Sequence, residues 1–136
     1  MSASGPHSLL THRNNPASAM ELRILEAVVQ DCPTVKASIP YLAKICQIVD
    51  QDSPPETRAR AHVRLANAYF KTQQFIQCEA SLTHAVKLYE KSDNNNNDNG
   101  EELDQAYAQL RDCYDALGKR QLAEHIETRR QKRLES

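Results

Sequence analysis

The residues of this chain that could do chemistry are three of its five histidines, four cysteines and a short basic stripe. His62, His84 and His125 are titratable groups that catalysis could use if a pocket held them together. Each lies within a helical pattern, however, and His84 stands six residues after Cys78, off the same helical face. They read as exposed or half-buried packing residues. Cys32, Cys46, Cys78 and Cys113 are spread along the chain without a C-x-x-C pair to begin a zinc site, so the last three read as small apolar core residues. No glycine-rich phosphate loop, G-x-S-x-G or H-E-x-x-H occurs. The expectation is no enzyme, no cofactor and no metal site. The basic stripe is different. Arg60, Arg64 and Lys71 are spaced by four and seven residues, on one side of a helix, with Asn67 between them. Cations beside an amide that both donates and accepts suit a protein partner with an acidic segment.

The elements that hold this stripe can be read from the apolar pattern. The chain has 136 residues, 40% hydrophobic and 26% charged, with only three glycines. That balance favours helices over sheet. A mean hydropathy of −0.69 implies a thin core and an elongated shape. The net charge of −1 selects neither nucleic acid nor membrane, and no apolar run approaches the length of a membrane span. The first sixteen residues lack the features of a secretory signal and read as a disordered leader. The expected location is the cytoplasm or the nucleus, with "RRQKR" as a weak nuclear signal.

Six helices follow, an all-α arrangement of three antiparallel hairpins. The first, in a hairpin spanning 17–52, opens on Ser18 and Glu21 in capping-box spacing and carries Ile24, Leu25 and Val28. The second, from about Thr34 to Asp50, repeats Val35, Ile39, Leu42, Cys46 and Val49, with Pro40 expected to kink it or delay its start to Ser38. A second hairpin covers 53–91. It opens on Ser53 as cap, Pro54 in the first helical position and Glu56 completing the box. It turns at "TQQ" and resumes at Phe75 with Cys78, Leu82, Ala85 and Tyr89 on one face. The asparagine run within 92–100 predicts a loop that can be shortened at little cost. The third hairpin covers 101–134 and turns at Gly118.

The chain also repeats itself. "LANAY" (65–69) and "LRDCY" (110–114) share L-x-x-x-Y at a period of 45, with small residues Cys78 and Ala123 nine positions beyond each tyrosine. The set Leu65-Ala66, Tyr69, Phe75, Cys78, Leu82 and Ala85 resembles a tetratricopeptide repeat, the helix-turn-helix unit that stacks into an α-solenoid. Leu110, Tyr114, Leu117-Gly118 and Ala123 resemble a second copy. It departs from the pattern at Arg111, Glu127 and Arg130. The long period is similar to the lengthened repeats of kinesin light chains. The texture of "CPTVKASIPYLAKI" and "SPPETRARAHVRLANAY" is similar to the helical-repeat subunit of the cohesin loader.

The resemblance implies a non-catalytic interaction module, an adaptor or scaffold binding a peptide or helix in a concave groove. The alternative it implies is a structural subunit of a larger helical-repeat assembly such as a chromatin complex. In the family the first helix of each repeat lines the groove, which implies Arg60, Val63, Arg64, Asn67, Phe70 and Lys71, then Gln105, Gln109 and Asp112. Asn67 and Lys71 also resemble the residues with which chaperone-binding members grip a C-terminal carboxylate. Val63 and Gln109 stand where that grip needs a lysine and an asparagine, so the resemblance implies a different ligand.

Overall fold

The computed structural model describes residues 16–93 and 100–135, and within them every element is a helix. These are α1 (Pro16–Asp31), α2 (Val35–Asp52), α3 (Pro55–Lys71), α4 (Phe75–Asp93), α5 (Gly100–Ala116) and α6 (Arg120–Glu135). The expected leader at 1–15 and the asparagine run at 94–99 lie outside the described residues. Ser92 and Asp93, read as loop in the sequence, end α4, and Gly100 opens α5.

Helix starts differ from the sequence reading in three places. Proline is tolerated in a first turn, where the N–H it lacks has no acceptor, and α1 accordingly opens at Pro16 with Ser18 inside it. The same logic moves the start of α3 by one residue. Pro54 is its N-cap without a side-chain bond and Pro55 its first residue, while Ser53 closes α2 through its N–H to Val49 O at 3.0 Å. Glu56 is thereby released from capping and accepts from Ser92 Oγ at the far end of α4, 3.0 Å away. Pro40 does not delay α2. Thr34 caps the helix by accepting from Ala37 N at 3.1 Å, and the carbonyl that Pro40 leaves without a donor belongs to Lys36, in an exposed first turn.

Neighbouring helices run antiparallel. Along α3 and α4, Glu56 meets Ser92, His62 meets His84 and Phe70 meets Phe75. Along α5 and α6, Asp104 meets Arg130 and Arg111 meets Glu127. Alternate helices are bridged by long side chains at nearly constant sequence offsets. Arg60 to Glu102 and Asn67 to Gln109 both span 42 residues between α3 and α5, and Lys119, just before α6, reaches Glu79 of α4 across 40.

The repeat read from the sequence recurs in the backbone. After α3, Gln74 N donates to Tyr69 O at 2.8 Å and Gln73 N to Phe70 O at 3.0 Å. After α5, Lys119 N donates to Tyr114 O at 2.8 Å and Gly118 N to Asp115 O at 3.0 Å. Both are the helix-ending pattern in which one residue turns left-handed, Gln73 at φ 62° and Gly118 at φ 75°.

Two cores meet at α3. One gathers Ala59, Ala66, Cys78, Leu82, Ala85, Leu103, Ala106, Leu110 and Cys113 between α3 and α6. The other gathers Leu42, Ile45, Cys46, Val49, Leu65 and Ala68 with Leu22, Leu25 and Val29 of α1. The stripe of α1 that packs on this core is therefore the half-buried Leu22-Leu25-Val29 rather than Ile24-Leu25-Val28, and Ile24 faces solvent at 57% exposure. Tyr69 packs against both cores.

Ala66 is fully buried in this arrangement. Ala66→Leu is expected to destabilise by roughly 1–3 kcal/mol, because a larger side chain forces the packed helices apart. An unchanged denaturation midpoint would remove Ala66 from the contact. Gln73→Gly is expected to raise stability by up to about 1 kcal/mol. It relieves the left-handed cost of an L-residue, partly offset by glycine's greater freedom when unfolded. A lower melting temperature would show that Gln73 earns its place through side-chain contacts.

Candidate functional site

The exposed side of α3 faces α5 across a cleft of about 230 Å³. Arg60, Val63, Arg64, Asn67, Tyr89, Glu102, Gln105 and Gln109 line it. A second hollow of about 200 Å³ continues from it, lined by Asn67, Phe70, Cys78, Leu82, Gln109 and Asp112. Eight of the nine residues singled out in the sequence thus line one continuous depression, and Lys71 stands exposed at the end of α3. Tyr89 and Glu102 were not anticipated. Tyr89 belongs to the buried face of α4 and Glu102 to the first turn of α5, so no pattern along α3 points to either.

The electrostatics depart from the expected basic stripe. Arg60 donates to both oxygens of Glu102, Nε to Oε2 at 2.7 Å and Nη2 to Oε1 at 2.9 Å. Arg64 donates to Glu26 of α1 at 2.7 Å. Of the three bases of the stripe, Arg60 and Arg64 are matched by carboxylates from helices distant in sequence. Lys71 has no ion pair among the described residues. Hydrogen bonding from Arg60 holds the Glu102 carboxyl below its ordinary value, against the opposing effect of burial. Burial raises the Tyr89 hydroxyl to about 12, and that hydroxyl lies 3.4 Å from Glu102.

Between the two hollows an amide pair spans the helices, Gln109 Nε2 donating to Asn67 Oδ1 at 3.1 Å. Gln109 Oε1 is buried and has no partner, alone in this among the buried side-chain polar atoms of the described residues. Asn67 Nδ2 has no acceptor among the described residues. Phe70, 39% exposed, closes the far end edge-to-face on Phe75, with ring centroids 5.2 Å apart.

The histidines and cysteines sort differently. Cys46, Cys78 and Cys113 are buried free thiols, and burial pushes the first two up to about 12, which keeps them protonated and unreactive. His125 is exposed. His62 and His84 meet, however, with ring centroids 4.4 Å apart at an interplanar angle of 77°. Asp50 of α2 joins them, its carboxylate oxygens 3.0 and 3.1 Å from His62 Nε2. Burial, then the neighbouring His62, lowers the pKa of His84. The sequence reading treated these histidines as separate packing residues. Their meeting requires the pairing of α2, α3 and α4, which spacing within any one helix does not contain.

No family model matches the chain, and no curated protein or solved structure is significantly similar to it.

Glu102 supplies a test of the cleft's electrostatics. Its carboxyl titrates lower when folded, so its contribution to stability is complete above the ordinary carboxylate range and disappears as pH falls through the folded value. The pair is largely solvent-exposed, so the effect is expected to stay below about 1 kcal/mol. Glu102→Gln is expected to flatten the acid limb of melting temperature against pH and to converge with the parent at low pH. Parallel curves would show that the pair contributes nothing.

Proposed function

We propose that the chain is a non-catalytic protein-interaction module of the tetratricopeptide type, whose α3–α5 cleft binds an extended peptide or helix of a partner protein. The observation that carries this reading is the Asn67–Gln109 amide pair, with an unmatched amide hydrogen donor on Asn67 and an unmatched oxygen on Gln109. A buried amide oxygen without a partner is costly, and a peptide backbone offers an N–H for Gln109 and a carbonyl for the more accessible amide of Asn67. Phe70 adds apolar contact area for a side chain beside that backbone. The repeated helix-ending turn at a period of 45 supports stacking as a solenoid, in which α3 and α5 are equivalent first helices. For an acidic residue in the partner, Lys71 is a cation of α3 without an ion pair among the described residues. At Arg60 and Arg64 it must compete with Glu102 and Glu26.

A second reading rests on α1. Met20 and Ile24, four residues apart, are 55% and 57% exposed on the outer helix, an apolar end that suits docking into a larger helical assembly. Under that reading the chain is a structural subunit, in the manner of a chromatin-associated helical-repeat complex. Described residues contain no helix long and apolar enough to cross a membrane, so neither reading involves a spanning segment.

Panning a random peptide library displayed on phage against the full chain separates these readings. The cleft reading expects enriched peptides whose binding weakens by about tenfold or more in Asn67→Ala/Gln109→Ala, with the helical spectrum unchanged, since each lost hydrogen bond contributes about 0.5–1.5 kcal/mol. Lys71→Glu is expected to weaken only the peptides that carry acidic residues. Failure to enrich any peptide, or binding indifferent to the double variant, overturns the cleft reading. Self-association abolished by Met20→Ser/Ile24→Ser would then support the docking subunit.

A further inference from the structure

We propose that Asp50, His62 and His84 form a binding site for one divalent ion of the zinc class, tying α2 to the α3–α4 hairpin. One ligand atom from each residue lies within 4.8 Å of the others. A tetrahedral ion with ligands at about 2.0–2.2 Å places them about 3.4 Å apart, so only small side-chain rotations are needed. The ion takes the place of the proton now shared between His62 Nε2 and the carboxylate, whose oxygens lie 3.0 and 3.1 Å away. His84 brings ring nitrogens with no hydrogen-bond partner among the described residues.

The surroundings favour this use of the cluster. Arg58 Nε sits 3.4 Å from Asp50 Oδ1 and steadies the carboxylate, both of whose oxygens face His62, which is the orienting role that outer groups take around metal ligands. Arg58 and Lys87 are the positive charges beside His84. These charges oppose any divalent ion alike, and the donor set of two imidazoles and one carboxylate gives the advantage to an ion with affinity for nitrogen over magnesium or calcium, which take oxygen ligands. Three protein ligands leave the fourth position to water, and His84 is the most solvent-facing of the three, which provides the way in. Ligands from three helices make the ion a brace between the two cores that meet at α3.

The full chain, stripped with chelator and desalted, is titrated with ZnCl2 by calorimetry and with CoCl2 by visible absorption. The expected result is one ion per chain, a cobalt spectrum without thiolate charge transfer, and a melting temperature that rises with zinc. His62→Gln and His84→Gln are each expected to weaken binding at least tenfold, and Cys32→Ser to leave it unchanged. Should a histidine variant fail to fold, imidazole nitrogen NMR of the unaltered chain decides, since zinc must shift both His62 and His84. Absence of binding, thiolate charge transfer, or affinity indifferent to both histidine variants overturns the site and leaves Asp50 and His62 as a simple hydrogen-bonded pair.

Discussion

Helix α3 must serve two cores at once, and the rest of the structure depends on how it does so. A helix with one apolar stripe packs on one side only. In α3 the small residues Ala59 and Ala66 turn toward α4 and the C-terminal core, Leu65 and Ala68 turn toward α2 and α1, and Tyr69 reaches both. Fully buried small side chains at Ala59 and Ala66 let α4 approach closely, while Leu65 beside Ala68 fills the contact with α2. What remains is a narrow strip of polar residues from Arg60 to Lys71. That strip is left as the wall of the cleft because both flanks are already buried.

The same constraint explains the charge pattern. Helices with so little apolar surface leave long side chains on their exposed faces, and alternate helices are near enough for those side chains to meet. Arg60–Glu102 and Arg64–Glu26 each join helices two apart in the chain, and Lys119–Glu79 ties the start of α6 to α4. Such exposed pairs contribute little energy singly, yet they set which charges a ligand encounters. Arg60 and Arg64 look like free cations only while α1 and α5 are out of view. The neutral amides between them become the distinctive chemistry of the surface.

The repeat shows a related division. Equivalent residues recur every 45 positions, as Tyr69 and Tyr114 and the two turns demonstrate, whereas the partners across α3 and α5 are 42 apart. Each side chain of α3 therefore meets not its own equivalent but the residue one turn earlier on α5. This stagger places Asn67 against Gln109 and leaves Asp112, the residue matching Asn67, at the farther hollow.

The amino-acid sequence by itself determined the helices, their turns and most of their buried faces, because those follow from spacing within one segment. Leu82, Ala85 and Tyr89 are buried as their period demands, and Gly118 is left-handed where a helix must end. The tandem prolines at 54 and 55 and the proline at 40 misled by a few residues, since the first turn of a helix tolerates proline at more than one position. Only the tertiary structure decided which charges are free, which amide lacks a partner, and that Asp50, His62 and His84 meet. Each of those depends on the stagger and rotation of one helix against another. That relation is set by the summed packing of many side chains across the interface, and no local stretch of residues carries it.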